Sequence, residues 1–108
     1  MVGASHNASL YALEHRFYGE SVPDYKEGGS YDPATMHYLS SEQALSDIAS
    51  FVLHVTKANP KRKVVTIGGS YPGALSAWFR QRYPHLAVTA WASSAVVYPT
   101  AYFDEFDN

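Results

Sequence analysis

Lys63-Val64-Val65-Thr66-Ile67-Gly68-Gly69-Ser70-Tyr71-Pro72-Gly73-Ala74 is the stretch that decides how this chain folds. The run Lys63 to Ile67 reads as a short buried strand, Gly68 to Gly73 as a tight turn, and Ala74 to Tyr83 as a helix. A strand, a sharp turn with serine at its tip and a helix make up a nucleophile elbow. Such a turn forces the serine into strained backbone, and small neighbours let helix and strand approach without a Cβ clash. Ser70 is therefore the candidate nucleophile. The usual spacing is Gly-x-Ser-x-Gly. Here Gly68, Gly69 and Ser70 fit it, Pro72 stands at its last position, and Gly73 follows one step later. Proline suits the first turn of a helix, where its missing N–H has no intrahelical partner anyway. The positive end of the helix then faces the Ser70 hydroxyl, and the backbone N–H of Tyr71 becomes the candidate oxyanion donor. The plain alternative is that these six residues form only a flexible turn.

Outward from the elbow, Leu75, Trp78, Phe79 and Tyr83 recur on one face of the following helix. Arg80 and Arg82 sit in its last turn, where a solvated, dipole-complementing role is expected, and Tyr83-Pro84 stops it. Upstream, Ser40 with Gln43 reads as a capping box, and Leu45, Ile48, Ala49, Val52 and Val55 keep helical spacing up to Asn59-Pro60. Leu86 to Ala92 reads as another strand, followed by Ser93-Ser94 and an aromatic, acidic tail that includes Asp104, Glu105 and Asp107. Leu10 to Leu13 reads as a short buried strand ending in Glu14-His15-Arg16, which is expected to form an ion-pair cluster. Between Ser21 and Tyr38, with Pro23, Gly28, Gly29 and Pro33, a long irregular loop is expected. Strands alternating with helices predict an α/β fold with a parallel sheet. Ligands of such sheets sit beyond the carboxyl ends of the strands. Glu14 to Arg16, Ser70 and Ser93-Ser94 all follow such ends and are expected to share one face.

At 108 residues the chain is one domain at most, and 46% hydrophobic with 17% charged residues argues for a packed protein rather than a disordered tail. A net charge of −2 gives no electrostatic case for binding nucleic acid or an anionic membrane. No cysteine is present, which excludes disulfides and thiolate metal sites, and neither a metal nor a cofactor is expected. Met1 to His6 is neither a signal peptide nor a membrane span.

A serine hydroxyl needs a base, and elbows of this kind place the acid and then the histidine downstream of the serine. His85 is the only later histidine and lies about 20 Å away along the helix, at about 1.5 Å per residue. His6, His37 and His54 read as surface or packing residues, and His15 as part of the Glu14 cluster. The triad is incomplete in these 108 residues.

Three segments carry a resemblance: Ala12-Leu13-Glu14-His15-Arg16-Phe17-Tyr18-Gly19-Glu20-Ser21, then Tyr38-Leu39-Ser40-Ser41-Glu42-Gln43-Ala44-Leu45, and the elbow with Trp91-Ala92-Ser93-Ser94-Ala95. Together they make the chain, from about Leu10 onward, resemble the lysosomal and secreted serine carboxypeptidases typified by prolyl carboxypeptidase, dipeptidyl peptidase II and thymus-specific serine protease. The resemblance implies a partial α/β-hydrolase core, residues 1–108 being a fragment of the catalytic domain truncated before a helical cap inserted beyond Ala92. It also implies hydrolysis of peptides after proline or a small residue near a terminus. Ser70 matches the nucleophile and Tyr71 the oxyanion amide, with Glu14, Arg16 and Tyr18 adjacent to the site. The triad acid and histidine would lie beyond Asn108. Pro72 and Val96 stand where the family often shows glycine and proline, which leaves carboxypeptidase and dipeptidyl peptidase both open. In that topology a strand preceding Met1 would separate the Leu10 strand from the Ser70 strand, so the isolated fragment is expected to fold poorly and to be inactive. A peptide substrate, a lysosomal or secreted parent enzyme and its assembly as a homodimer are the remaining expectations.

Asn7-Ala8-Ser9 is a glycosylation sequon, which makes Asn7 a candidate acceptor. The aromatic residues, 15% of the chain, are expected chiefly in the core. Two other readings stay open. One is a different α/β-hydrolase such as an esterase or lipase, and the other is a non-catalytic interaction module that the missing base would explain.

Overall fold

The computed structural model describes residues 6–23 and 32–104. Gly28 and Gly29 of the expected loop, and Glu105 and Asp107 of the acidic tail, lie outside the described residues. The chain forms two compact units, Met1–Ser40 and Ser41–Asn108.

In the second unit the order is helix, strand, helix, strand. Helix α2 spans Ser41–Thr56, β1 Val65–Gly69, α3 Ser70–Arg82 and β2 Thr89–Ser93. Strands β1 and β2 pair in parallel, with Val65 opposite Thr89, Ile67 opposite Trp91 and Gly69 opposite Ser93. The Val88 N–H extends the ladder by donating to the Val64 carbonyl at 2.9 Å. This is the expected α/β arrangement, with α3 as the crossover joining parallel neighbours.

Apolar spacing decides what packs. Ala44, Leu45, Ala49 and Val52 of α2 meet Leu75 and Phe79 of α3 and Ala87, with Ile48, Val64, Trp78, Tyr83 and Leu86 around them. Phe79 is fully enclosed (0% exposed), so truncating it would cost about 3–5 kcal/mol. Buried Ser76 donates to the Thr66 hydroxyl at 2.8 Å, fastening α3 to β1 without an orphaned polar group. The last turn of α3 is more engaged than the sequence suggests. Arg82 pairs with Glu42 of α2 at 2.9 Å and Arg80 donates to the Val88 carbonyl at 3.3 Å. The first is an exposed pair of small energetic value.

Among the described residues of this unit, only one face of the sheet is covered. Ile67 and its register neighbour Trp91 are 67% and 65% exposed, although parallel sheets are normally covered on both faces. Core packing of the aromatics is therefore realised by few of them: Tyr11, Tyr18, Tyr98 and Tyr102 are exposed as well, because none projects from the inward face of a helix.

The first unit departs from expectation in three places. Leu10 to Leu13 forms no strand, and Leu10 is 67% exposed. A strand needs a neighbour's ladder, and among the described residues β1 pairs only with β2. The expected irregular loop contains a helix, α1, at Pro33–Met36. Its start is chemically plain: the Asp32 carboxylate accepts from the Ala34 N–H at 2.7 Å, and Pro33 occupies the first helical position. Finally, the Glu14 cluster is organised by hydrogen bonds to the Ser21 hydroxyl and to main-chain groups, as described below, and not by pairing between its own charges.

Candidate active site

The geometry of the elbow starts at Gly69. Its backbone is extended (φ −114°, ψ 151°) and still paired with Ser93, so the strand runs two residues beyond Ile67, where the sequence suggests it ends. The chain then reverses at Ser70, whose φ of 56° is left-handed. A non-glycine residue there costs about 1–3 kcal/mol, and such strain gathers where function needs it. Helix α3 begins at once, with Ser70 exposed at its first position and Pro72 in its first turn.

The glycines on either side have separate jobs. A Cβ on Gly68 would overlap the Pro72 carbonyl and lie 2.7 Å from the Gly73 nitrogen, so the first turn of α3 rests directly on the strand. A Cβ on Gly73 would lie 3.0 Å from the carbonyl oxygens of Gly68 and Ser93 and 3.1 Å from the Ala95 Cβ. Gly69 is different: its nearest neighbour would be the Ser93 oxygen at 3.8 Å, an ordinary contact. The two glycines that let helix and strand meet are thus Gly68 and Gly73. Displacing the second glycine past Pro72 leaves this packing intact.

Gly69 brings no side chain to cap α3, and the first turn holds no acidic residue. Its positive end is thus left without a compensating carboxylate beside the Ser70 hydroxyl. The Tyr71 amide belongs to that turn, and the Tyr71 hydroxyl lies 3.0 Å from Ser41 Oγ, which ties its ring to the start of α2. A hydroxyl beside main-chain donors at a helix start can serve acyl transfer once a base is present.

Ser70 and Ser93-Ser94 are brought together by the register of β1 and β2, as expected. Sequence reasoning placed Ser93-Ser94 at this rim but gave Ser94 no role of its own; its φ of 46° is left-handed. Its only signal was a serine pair at a strand end. His54 lies exposed on α2, and His85 follows α3 with its ring edge-on to Tyr83. No hydrogen bond joins a histidine to the Ser70 hydroxyl among the described residues. Nor do any three metal-binding side chains gather there.

Glu14, Arg16 and Tyr18 belong to the other unit and form a loop of their own. Glu14 Oε2 accepts from the Ser21 hydroxyl at 2.7 Å, the Ser21 N–H at 2.9 Å and the Glu20 N–H at 3.1 Å. The Ser21 hydroxyl bond, helped by the two amides, holds the Glu14 carboxyl below the usual carboxylate range. Arg16 donates to the Tyr38 carbonyl at 3.0 Å, the Arg16 carbonyl lies 2.7 Å from His15 Nδ1, and the His15 ring stands edge-on to Tyr18. Inside the loop Phe17 is buried and left-handed (φ 67°), and its N–H donates to the Ser21 carbonyl at 2.9 Å. Asn7 of the sequon is exposed, at φ 50°.

The sequence profile described as serine carboxypeptidase S28 matches residues 2–108. Lysosomal Pro-X carboxypeptidase of Mus musculus is 45% identical over 94 residues, covering 84% of this chain and 19% of that protein. The Homo sapiens protein of the same name is 44% identical over 94 residues, with the same coverage. Prolyl carboxy peptidase like protein 5 of Caenorhabditis elegans is 45% identical over 95 residues, 84% of this chain and 18% of that protein. The chain therefore spans about a fifth of the length of these relatives.

Proposed function

Because the chain belongs to the serine carboxypeptidase S28 family, we propose that it carries the nucleophile segment of a serine exopeptidase of the Pro-X carboxypeptidase type. The single observation that carries this reading is Ser70 itself, a non-glycine residue held left-handed and exposed between a parallel strand and a helix start.

In the reaction, Ser70 Oγ bonds to the scissile carbonyl carbon while its proton passes to a histidine oriented by a carboxylate. Negative charge gathers on the carbonyl oxygen, which the Tyr71 N–H and the positive end of α3 meet. Loss of one such donor costs about 2.7–4 kcal/mol of barrier. The carbon–nitrogen bond then breaks, the amine leaves with the proton from the histidine, and water releases the acyl group from Ser70. Neither the histidine nor the carboxylate is assigned to a residue of this chain, so the 108 residues by themselves are inactive in this reading.

Pro-X specificity and a lysosomal address come from the names of the mouse and human relatives. The test is hydrolysis by the full-length gene product of peptides ending in Pro-X, set beside a p-nitrophenyl ester. Release of the terminal residue with poor ester turnover is expected; ester turnover without peptide cleavage would assign the elbow to another α/β-hydrolase.

A further inference from the structure

Ser70 is not the only strained serine at this end of the sheet. Gly69 and Ser93 are register partners on parallel strands, so Ser70 and Ser94 each follow the last residue of neighbouring strands about 4.8 Å apart. Both are left-handed, at 56° and 46°. Where only a change of chain direction is needed, glycine makes this turn without strain. A serine held in it points to a use for the side chain.

The turn is held firmly on both sides of Ser94. The Ser93 carbonyl and the Ala95 Cβ close on the α-carbon of Gly73, near enough to leave little room for a methyl group, and the Val97 N–H donates to the Ala95 carbonyl at 2.9 Å. Ser94 is exposed at the apex. Several hydroxyls of this unit are consumed internally: Ser76 on Thr66, Ser50 on the Ser46 carbonyl and Thr56 on the Val52 carbonyl. The Ser94 hydroxyl, like that of Ser70, makes no hydrogen bond to another described residue.

We propose that Ser94 is a substrate-positioning residue of the same site. Its hydroxyl hydrogen-bonds a peptide group of a substrate lying across the carboxyl-end rim, on the β2 side of Ser70. This rests on the peptidase reading above. The chemistry needed is modest: a hydroxyl donates to a peptide carbonyl or accepts from a peptide N–H. A rigid backbone on either side keeps that bond from costing much ordering.

The experiment uses the full-length gene product with Ser94→Ala and Ser94→Gly. Each variant is tested for peptide hydrolysis and for the rate at which a small fluorophosphonate labels Ser70. Ser94→Gly removes the hydroxyl while easing the backbone, so it guards against a variant that simply fails to fold. Both variants are expected to lose about tenfold in kcat/KM on the peptide, the value of one hydrogen bond. Labelling should stay within about twofold, because the small probe has no peptide group for Ser94 to hold. Unchanged kcat/KM in either variant overturns the proposal, as does labelling that slows in parallel, which would make Ser94 a prop for the elbow. A wild-type protein that the probe does not label overturns the peptidase reading itself, and the role of Ser94 with it.

Discussion

The elbow at Gly68–Gly73 and the loop at Glu14–Ser21 solve the same problem by opposite means. Each holds a non-glycine residue in left-handed backbone, Ser70 in one and Phe17 in the other. In the elbow the constraint is absence: Gly68 and Gly73 lack the Cβ atoms that would drive helix and strand apart. In the loop the constraint is presence, since one carboxylate oxygen gathers two amides and a hydroxyl from residues six and seven positions on. Steric fits of the first kind are indifferent to pH and unforgiving of added volume. A carboxylate clamp tolerates volume elsewhere but depends on its charge.

Changing volume in the elbow should separate the glycines most sharply. Gly68→Ala should lower the stability of the full-length protein by about 3 kcal/mol and abolish Ser70 reactivity, because the backbone it meets cannot yield. Gly69→Ala should stay within about 0.5 kcal/mol, since its new methyl group finds ordinary contact distance. Equal effects in a chemical-denaturation series would break the steric half of the comparison.

In the loop, Gly19→Ala should cost about 1–2 kcal/mol, for Gly19 is left-handed (φ 55°) and its added methyl group would collide with the Glu14 carboxylate. No loss in melting temperature would mean that the clamp yields easily. Relieving strain should act in the other direction. Ser70→Gly should stabilise by about 1 kcal/mol while ending turnover, the sign expected where strain serves function. A destabilised Ser70→Gly protein would show that the bend is not strained.

The smallest effect concerns charge. Glu14 titrates below its ordinary value of 4.5, so its stabilisation is complete above that value and is lost as pH falls through the depressed one. The protection factor of the Ser21 amide against hydrogen exchange should be high and constant at neutral pH, then fall in acid as Glu14 is protonated. In Glu14→Gln it should be lower at neutral pH and nearly flat, so that the two proteins converge at low pH. Parallel curves would remove the clamp from the comparison.

This contrast also explains what the sequence discloses. Glycines placed around a serine between an apolar run and a helical pattern announce a steric elbow, because the signal is local. Even there the boundaries moved: Gly69 resembles a turn residue, yet the ladder keeps it extended, and Pro72 lets α3 start at Ser70. The loop was less legible. Glu14-His15-Arg16 suggests charges pairing with one another, but Glu14 reaches forward to Ser21 and Arg16 to the Tyr38 carbonyl, 22 residues away. Contacts of that span leave no periodic trace. Leu10 to Leu13 shows the converse, an apolar run that lacks a ladder partner and so remains exposed. Asp32-Pro33 has the chemistry of a helix start, but a helix of only four residues leaves no apolar periodicity to mark it. Ser94 was legible as a strand-end serine but not as a strained one, since a left-handed φ is a property of the folded turn and not of the residue type.

Treating the full-length gene product with a fluorophosphonate and locating the adduct by peptide mass spectrometry tests the nucleophile most directly. A single adduct on Ser70, absent in Ser70→Ala, is the predicted result. Labelling at another serine, or none in a folded protein, would contradict it.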